Sequence, residues 1–160
     1  MAVAGSLPLH ATTTFSFTNT GATFSAFGTI TADDNGDGSF TAISASGFFN
    51  NDAIILIPGS GTSPSGQFTF DNLLFPAGDP LLDGSGLLFS DTITGDEINV
   101  WGNGPSPAPY STWEWSSSGG YFLQDNNAAF SLTEVPEPAT WTMLGVSLIF
   151  MAGLSRRAVR

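Results

Sequence analysis

The chain has no cysteine and no lysine, and its only arginines, Arg156, Arg157 and Arg160, stand at its C-terminal end. Lack of cysteine removes disulfides, thiolate nucleophiles and thiolate-ligated metals. Lack of lysine removes Schiff-base catalysis, P-loop phosphate binding and lysine isopeptide cross-links. The single histidine, His10, lies near the start, so a Ser-His-Asp triad has no well-placed base and a zinc site lacks ligands. Of the fourteen acidic residues, all but Glu137 fall within residues 1–135, where no lysine or arginine balances them. Binding to a phosphate backbone needs cations to displace counterions, so nucleic acid is excluded as a partner. What remains is an acidic, Ser/Thr/Gly-rich surface that is soluble, repels anionic polymers and can collect divalent cations. Residues 1–135 are enough to bury one core without staples.

Helical periodicity is also missing before Thr140, and what replaces it is a series of short strands. Thr14–Thr18, Phe24–Ala32, Ser39–Ala45, Gln67–Phe70, Glu97–Trp101, Thr112–Trp115, Tyr121–Leu123 and Ala129–Leu132 alternate or nearly alternate and are rich in β-branched and aromatic residues. Between them lie Asn19–Gly21, Asp33–Gly38, Pro58–Gly66, Pro76–Pro80, Gly102–Pro109 and Ser116–Gly120, clusters of turn-forming residues that cannot extend a helix. Ala53–Ile57 is continuously apolar, which predicts a strand buried on both faces. The expected fold is all-β, an antiparallel β-sandwich of jelly-roll-like or barrel-like form spanning residues 12–134. No internal repeat of fixed period is present.

Three groups of residues in this domain are chemically suggestive. Asp33, Asn35 and Asp37 alternate ahead of Gly38, as in the first half of a calcium loop, with Ser39 able to add a carbonyl and Thr41 a hydroxyl. The twelfth position of such a loop is Ser44, which supplies no bidentate carboxylate, and the flanks read as strands. The same residues make a β-hairpin turn in which Asn-Gly and Asp-Gly provide positive φ angles, and this ion-free turn is the preferred reading. Trp113 and Trp115 flank Glu114, so strand alternation puts both indoles on one face and the carboxylate on the other. Exposed, the pair is a stacking platform for sugars; buried, it is core, and core is favoured in a domain this small. Asp91, Asp96, Glu97 and Glu114 are the carboxylates from which an acid and base for glycoside hydrolysis would be drawn, but no motif positions them, and the domain is read as non-catalytic.

The tail is the most specific signal. Val135, Pro136, Glu137 and Pro138 precede an uncharged run, Ala139–Leu154, and then the arginines. As a helix, those residues rise about 24 Å against a hydrocarbon core of about 30 Å, a marginal transmembrane span. Trp141 suits one headgroup region and the arginines the other, which places the C-terminus in the cytoplasm and residues 1–138 outside. Pro136 and Pro138 disfavour helix just before the span and leave an extended segment for an enzyme to grip. Residues 135–160 resemble the PEP-CTERM sorting tail of exported proteins of Gram-negative bacteria. The resemblance implies processing by an exosortase-type enzyme, an inner-membrane-anchored precursor, a mature domain at the cell surface or outside, and association with exopolysaccharide or biofilm. A carbohydrate-binding or calcium-dependent lectin-like module is the main alternative, and a secreted hydrolase a third. Met1–Ala11 has no basic n-region and no long apolar stretch, yet Ala2-Val3-Ala4 has the small-x-small form of a cleavage site. The expectation is a start that falls inside a signal peptide; the rival is a frayed first strand over Leu7–Thr14.

Overall fold

The computed structural model describes residues 11–104 and 109–136. Eleven strands follow in order: β1 (Thr12–Thr20), β2 (Ser25–Asp34), β3 (Phe40–Phe49), β4 (Asp52–Leu56), β5 (Gly61–Thr62), β6 (Thr69–Phe70), β7 (Leu73–Leu74), β8 (Leu87–Asp91), β9 (Glu97–Gly102), β10 (Tyr110–Ser116) and β11 (Gly120–Glu134). Alternation along β1 turns Phe15, Phe17 and Asn19 to one side, and the antiparallel register sets them opposite Ile30, Gly28 and Ala26 of β2. The same inward face continues around the sheet. Its order, β2-β1-β11-β10-β9-β8-β4-β3, closes on itself because β3 also pairs with β2. Every neighbour in this ring is also the next ring strand in sequence, apart from the closing β11–β1 pair, so of the jelly-roll-like and barrel-like forms expected the chain takes the second, as a single sheet closed into an up-and-down barrel of eight strands. Closure leaves the ring no free edge.

An eight-stranded barrel is just wide enough for side chains to fill it. Phe17 stacks on Phe89 at 5.5 Å and on Phe130 at 6.3 Å, across an interior completed by Ile30, Ile54, Leu87, Ile98 and Val100. Small residues on β2 and β3 make room for these rings. A Cβ on Gly28 would lie 2.9 Å from Cε1 of Phe17 and 2.3 Å from the Ser46 carbonyl oxygen.

One connection is long. After β4 the chain leaves the ring, and its β5–β6 flap lays Phe68 and Phe70 on Leu88, an outward-facing residue of β8. β7 then joins the lower part of β3, and residues 75–83 bring Leu82, wholly buried, into the main core. Asn72 holds this excursion down: in a left-handed conformation (φ 58), its Nδ2 donates to the carbonyls of Ile57 and Gly59 while its Oδ1 accepts from Leu88 N. Leu87, Leu88 and Phe89 of β8 are therefore all buried. The strand buried on both faces is β8, not Ala53–Ile57: β4 alternates, with Ile54 and Leu56 inside and Ile55 50 % exposed. Of Gln67–Phe70 only Thr69–Phe70 is strand, and the segments Tyr121–Leu123 and Ala129–Leu132 belong to one strand, β11.

The turn of residues 35–39, Asn103 and Pro109, Ala11 and the end of β11 gather at one end of the barrel; the turns 21–24, 50–51, 92–96 and 117–119 form the other. Val135 N still donates to Thr14 O, so the chain stays on the barrel wall up to the residue before Pro136. Among the described residues no helix is long and apolar enough to cross a membrane. The expected transmembrane run Ala139–Leu154, the arginines 156, 157 and 160, Glu137, Pro138, His10 and the N-terminal segment 1–10 lie outside the described residues.

Candidate functional site

The acidic turn joins β2 to β3, with Gly36 and Gly38 at φ 80 and 90 as a tight hairpin requires. Its oxygens are directed at the turn itself. Asp37 Oδ1 accepts from Ser39 N at 2.9 Å and from Ser39 Oγ at 2.6 Å, and these bonds hold the Asp37 carboxyl below its usual range. Asn35 Oδ1 accepts from Thr41 Oγ1, and Asp34, not Asp33, caps Gly36 N. Among the described residues no cluster of three or more Asp, Glu, His or Cys is arranged to hold a metal.

The four carboxylates considered for catalysis separate into two places. Glu97, on the outer face of β9, is 4 % exposed and accepts from both the backbone N and the hydroxyl of Ser65, fastening the flap to the wall. Glu114 points the other way, into the mouth opposite the acidic turn. Burial there, with the like charges of Asp96, Asp91 and Asp52 added to it, pushes its carboxyl above the usual range. Asp91 Oδ1 accepts from Ile93 N and Thr94 N and so builds the β8–β9 turn. In the excursion Asp71 faces Asp83: burial first, then hydrogen bonding and repulsion from Asp83, push the Asp71 carboxyl up to about 6.

Trp113 and Trp115 lie together on the outer face of β10, away from Glu114, but their surroundings differ. Trp115 packs, half-buried, against the Phe68–Phe70–Leu88 cluster. Trp113 also touches that cluster yet lines a groove of about 290 Å³ together with Gln67, Phe68, Thr69, Asn99 and Trp101. The indole that meets Trp113 within this groove is Trp101, set edge to face with it at 5.5 Å, rather than Trp115. The wall is held rigid from behind. A register shift in β11 between the partners of Tyr110 and Thr112 presents Asn126, whose Oδ1 accepts from Trp113 Nε1 and from Ser111 Oγ, both at 2.9 Å. Tyr121 closes edge-on to Trp113 at 5.4 Å and donates its hydroxyl to Gln67 Oε1.

Asn99 was not singled out in the sequence, where it is one more polar residue in a strand. It is 3 % exposed, and its Nδ2 donates to Leu87 O and Ser85 O. On the far side of the barrel a larger groove, about 430 Å³, runs between Phe27, Phe48 and Ile55, with only the hydroxyls of Thr29, Ser46 and Thr92 as polar side-chain groups.

No curated protein and no solved structure matches the chain. Residues 134–157, which begin on the last residue of β11, match the family model of the PEP-CTERM protein-sorting motif, so the chain carries the sorting signal of an exported, exosortase-processed protein.

Proposed function

We propose that the barrel is a non-catalytic component of the cell envelope or extracellular matrix, anchored in the inner membrane by its tail until processing and then associated with exopolysaccharide. The observation that carries this reading is the sorting motif at residues 134–157, placed directly after a closed barrel. A ring without free edges suits a secreted protein with no disulfides, because none of its eight strands is left to pair with neighbouring chains, and the strands outside it, β5, β6 and β7, are only two residues long. The engagement of Asp91 and Glu97 in turn and flap contacts supports a structural role for them over an acid–base one.

The orientation of the precursor follows from the arginines, which favour the cytoplasmic side. Replacing Pro136, Glu137 and Pro138 with alanine leaves the apolar run intact, so insertion should persist while the full-length, membrane-bound form accumulates in the native host. Fractionation and immunoblotting of cells, membranes and matrix read this out. Unchanged release of a shortened product would refute the processing step, and absence of the released protein from the matrix fraction would refute the association.

A second reading, a carbohydrate-binding module, is favoured by the groove at Trp101 and Trp113. The calcium-dependent form of that reading has no such support, since the turn oxygens are engaged with the turn itself.

A further inference from the structure

We propose that the groove between the β5–β6 flap and the outer faces of β9 and β10 binds an uncharged sugar ring, with the corner formed by Trp101 and Trp113 against its C–H groups and Asn99 and Gln67 on its hydroxyls. This deepens the carbohydrate-binding reading and rests on it.

Asn99 supplies the first argument. Both of its Nδ2 contacts go to backbone carbonyls of the wall, which fixes the amide. Its Oδ1 has no partner among the described residues and is not sealed from the groove that the side chain lines. A buried amide whose acceptor is left open to a groove costs free energy unless something donates to it. The second argument is the opposite rim: Gln67 gives its Oε1 to Tyr121, and its Nε2 donors are free among the described residues. One fixed acceptor facing one free donor suits hydroxyl groups, which both donate and accept.

The aromatic wall supplies the apolar half. Trp113 is already ordered by Asn126 and Tyr121, so little side-chain freedom remains to be lost on binding. No charged side chain lines the groove, and the surrounding domain is strongly acidic. A uronic acid or a phosphorylated sugar would be repelled, whereas a neutral ring is not. The volume, about 290 Å³, stands at the lower edge of ligand sites and accommodates a single ring of a longer chain.

The test uses the full chain in detergent micelles, run through native gels containing dextran, galactomannan or hydroxyethyl cellulose, with alginate as the anionic comparison. Retardation is expected in at least one neutral gel and not in alginate. Trp101→Leu should weaken it about tenfold and Gln67→Ala roughly threefold, the scale of one aromatic contact and one hydrogen bond. Gln67 is exposed, so its variant keeps the fold, and an unchanged unfolding midpoint verifies this. Migration unaffected by all three neutral polymers would overturn the proposal. Retardation of the parent that both variants retain would overturn the groove while leaving carbohydrate binding in place at another surface.

Discussion

Closure of the barrel depends on an unusually close approach of β2 and β3, and Gly28→Ala tests it. Gly28 sits on the inner face opposite Gly47. An added Cβ would stand 2.3 Å from Ser46 O, 2.7 Å from Gly47 Cα and 2.9 Å from Cε1 of Phe17. The first two obstacles are backbone, which no rotamer change can remove, so the strands must part and stretch their ladder. Overpacking costs about 1–3 kcal/mol, and backbone obstacles place this site near 3. Alanine also restricts the unfolded chain relative to glycine, which offsets roughly 0.5–1 kcal/mol. The net loss is about 2 kcal/mol, or a fall of about 8 °C in Tm at about 4 °C per kcal/mol for a domain of this size. Thermal unfolding followed by circular dichroism measures it. Combining the change with Phe17→Leu removes only the ring contact, so the coupling between the two should stay under about 1 kcal/mol. A variant melting within about 1 °C of the parent would refute the reasoning, and full rescue by Phe17→Leu would assign the obstacle to the ring instead of the backbone.

The Asp71–Asp83 pair predicts a pH dependence with a definite sign. With the Asp71 carboxyl raised to about 6 from 3.8, the folded state takes up a proton that the unfolded chain does not, so this group makes the protein more stable as pH falls from about 7 towards 4. Urea unfolding at pH 7 and pH 5 should show that gain in the parent and a smaller one in Asp71→Asn; an undiminished gain would assign it to other acids. The acidic turn predicts indifference to calcium: its oxygens already accept from Ser39, Thr41 and Gly36, so midpoints with calcium or with chelator should agree. A calcium-dependent rise that disappears in Asp33→Ala combined with Asp37→Ala would overturn that expectation.

Legibility in the sequence followed the range of the interactions. The alternation of Phe15 and Phe17, and the hairpin turn within Asp33–Gly38, are local, and both read directly as strand and hairpin, whereas Asn19, grouped with Thr20 and Gly21 as a turn, is the last inward residue of β1. The shared face of Trp113 and Trp115 also read directly. Which side of the wall that face covers was not legible, because β8 to β10 carry apolar residues on both sides. Leu87-Leu88-Phe89 was missed as a strand because its outer face is buried by Phe68 and Phe70, well upstream, and so shows no alternation. The opposite error at Ala53–Ile57 has the same origin: nothing in the local sequence says that no element covers Ile55. Asn72, Asn99 and Glu97 acquire their roles only through the excursion that crosses the wall, and no motif announces them. A Gly/Pro/Ser/Asp-rich stretch reads as loop, and here it folds as a flap.

The position of the sorting motif bears on how the folded barrel and its processing enzyme meet. Val135 is still tied to Thr14, and Glu134 pairs with Phe15, so no slack chain separates the barrel from Pro136. An enzyme that grips the segment from Pro136 onwards therefore works against the end of the barrel that carries Ala11 and the acidic turn of residues 33–38. Either its surface accommodates that end, or the last pairs of β11 open. Opening is the cheaper route. Terminal pairs fray at little cost, Glu134 and Val135 are exposed, and the aromatic packing of Phe130 against Phe17 and Tyr110 begins several residues upstream. The core therefore retains its closure while the chain end is drawn out, and release of the tail need not be coupled to unfolding of the domain.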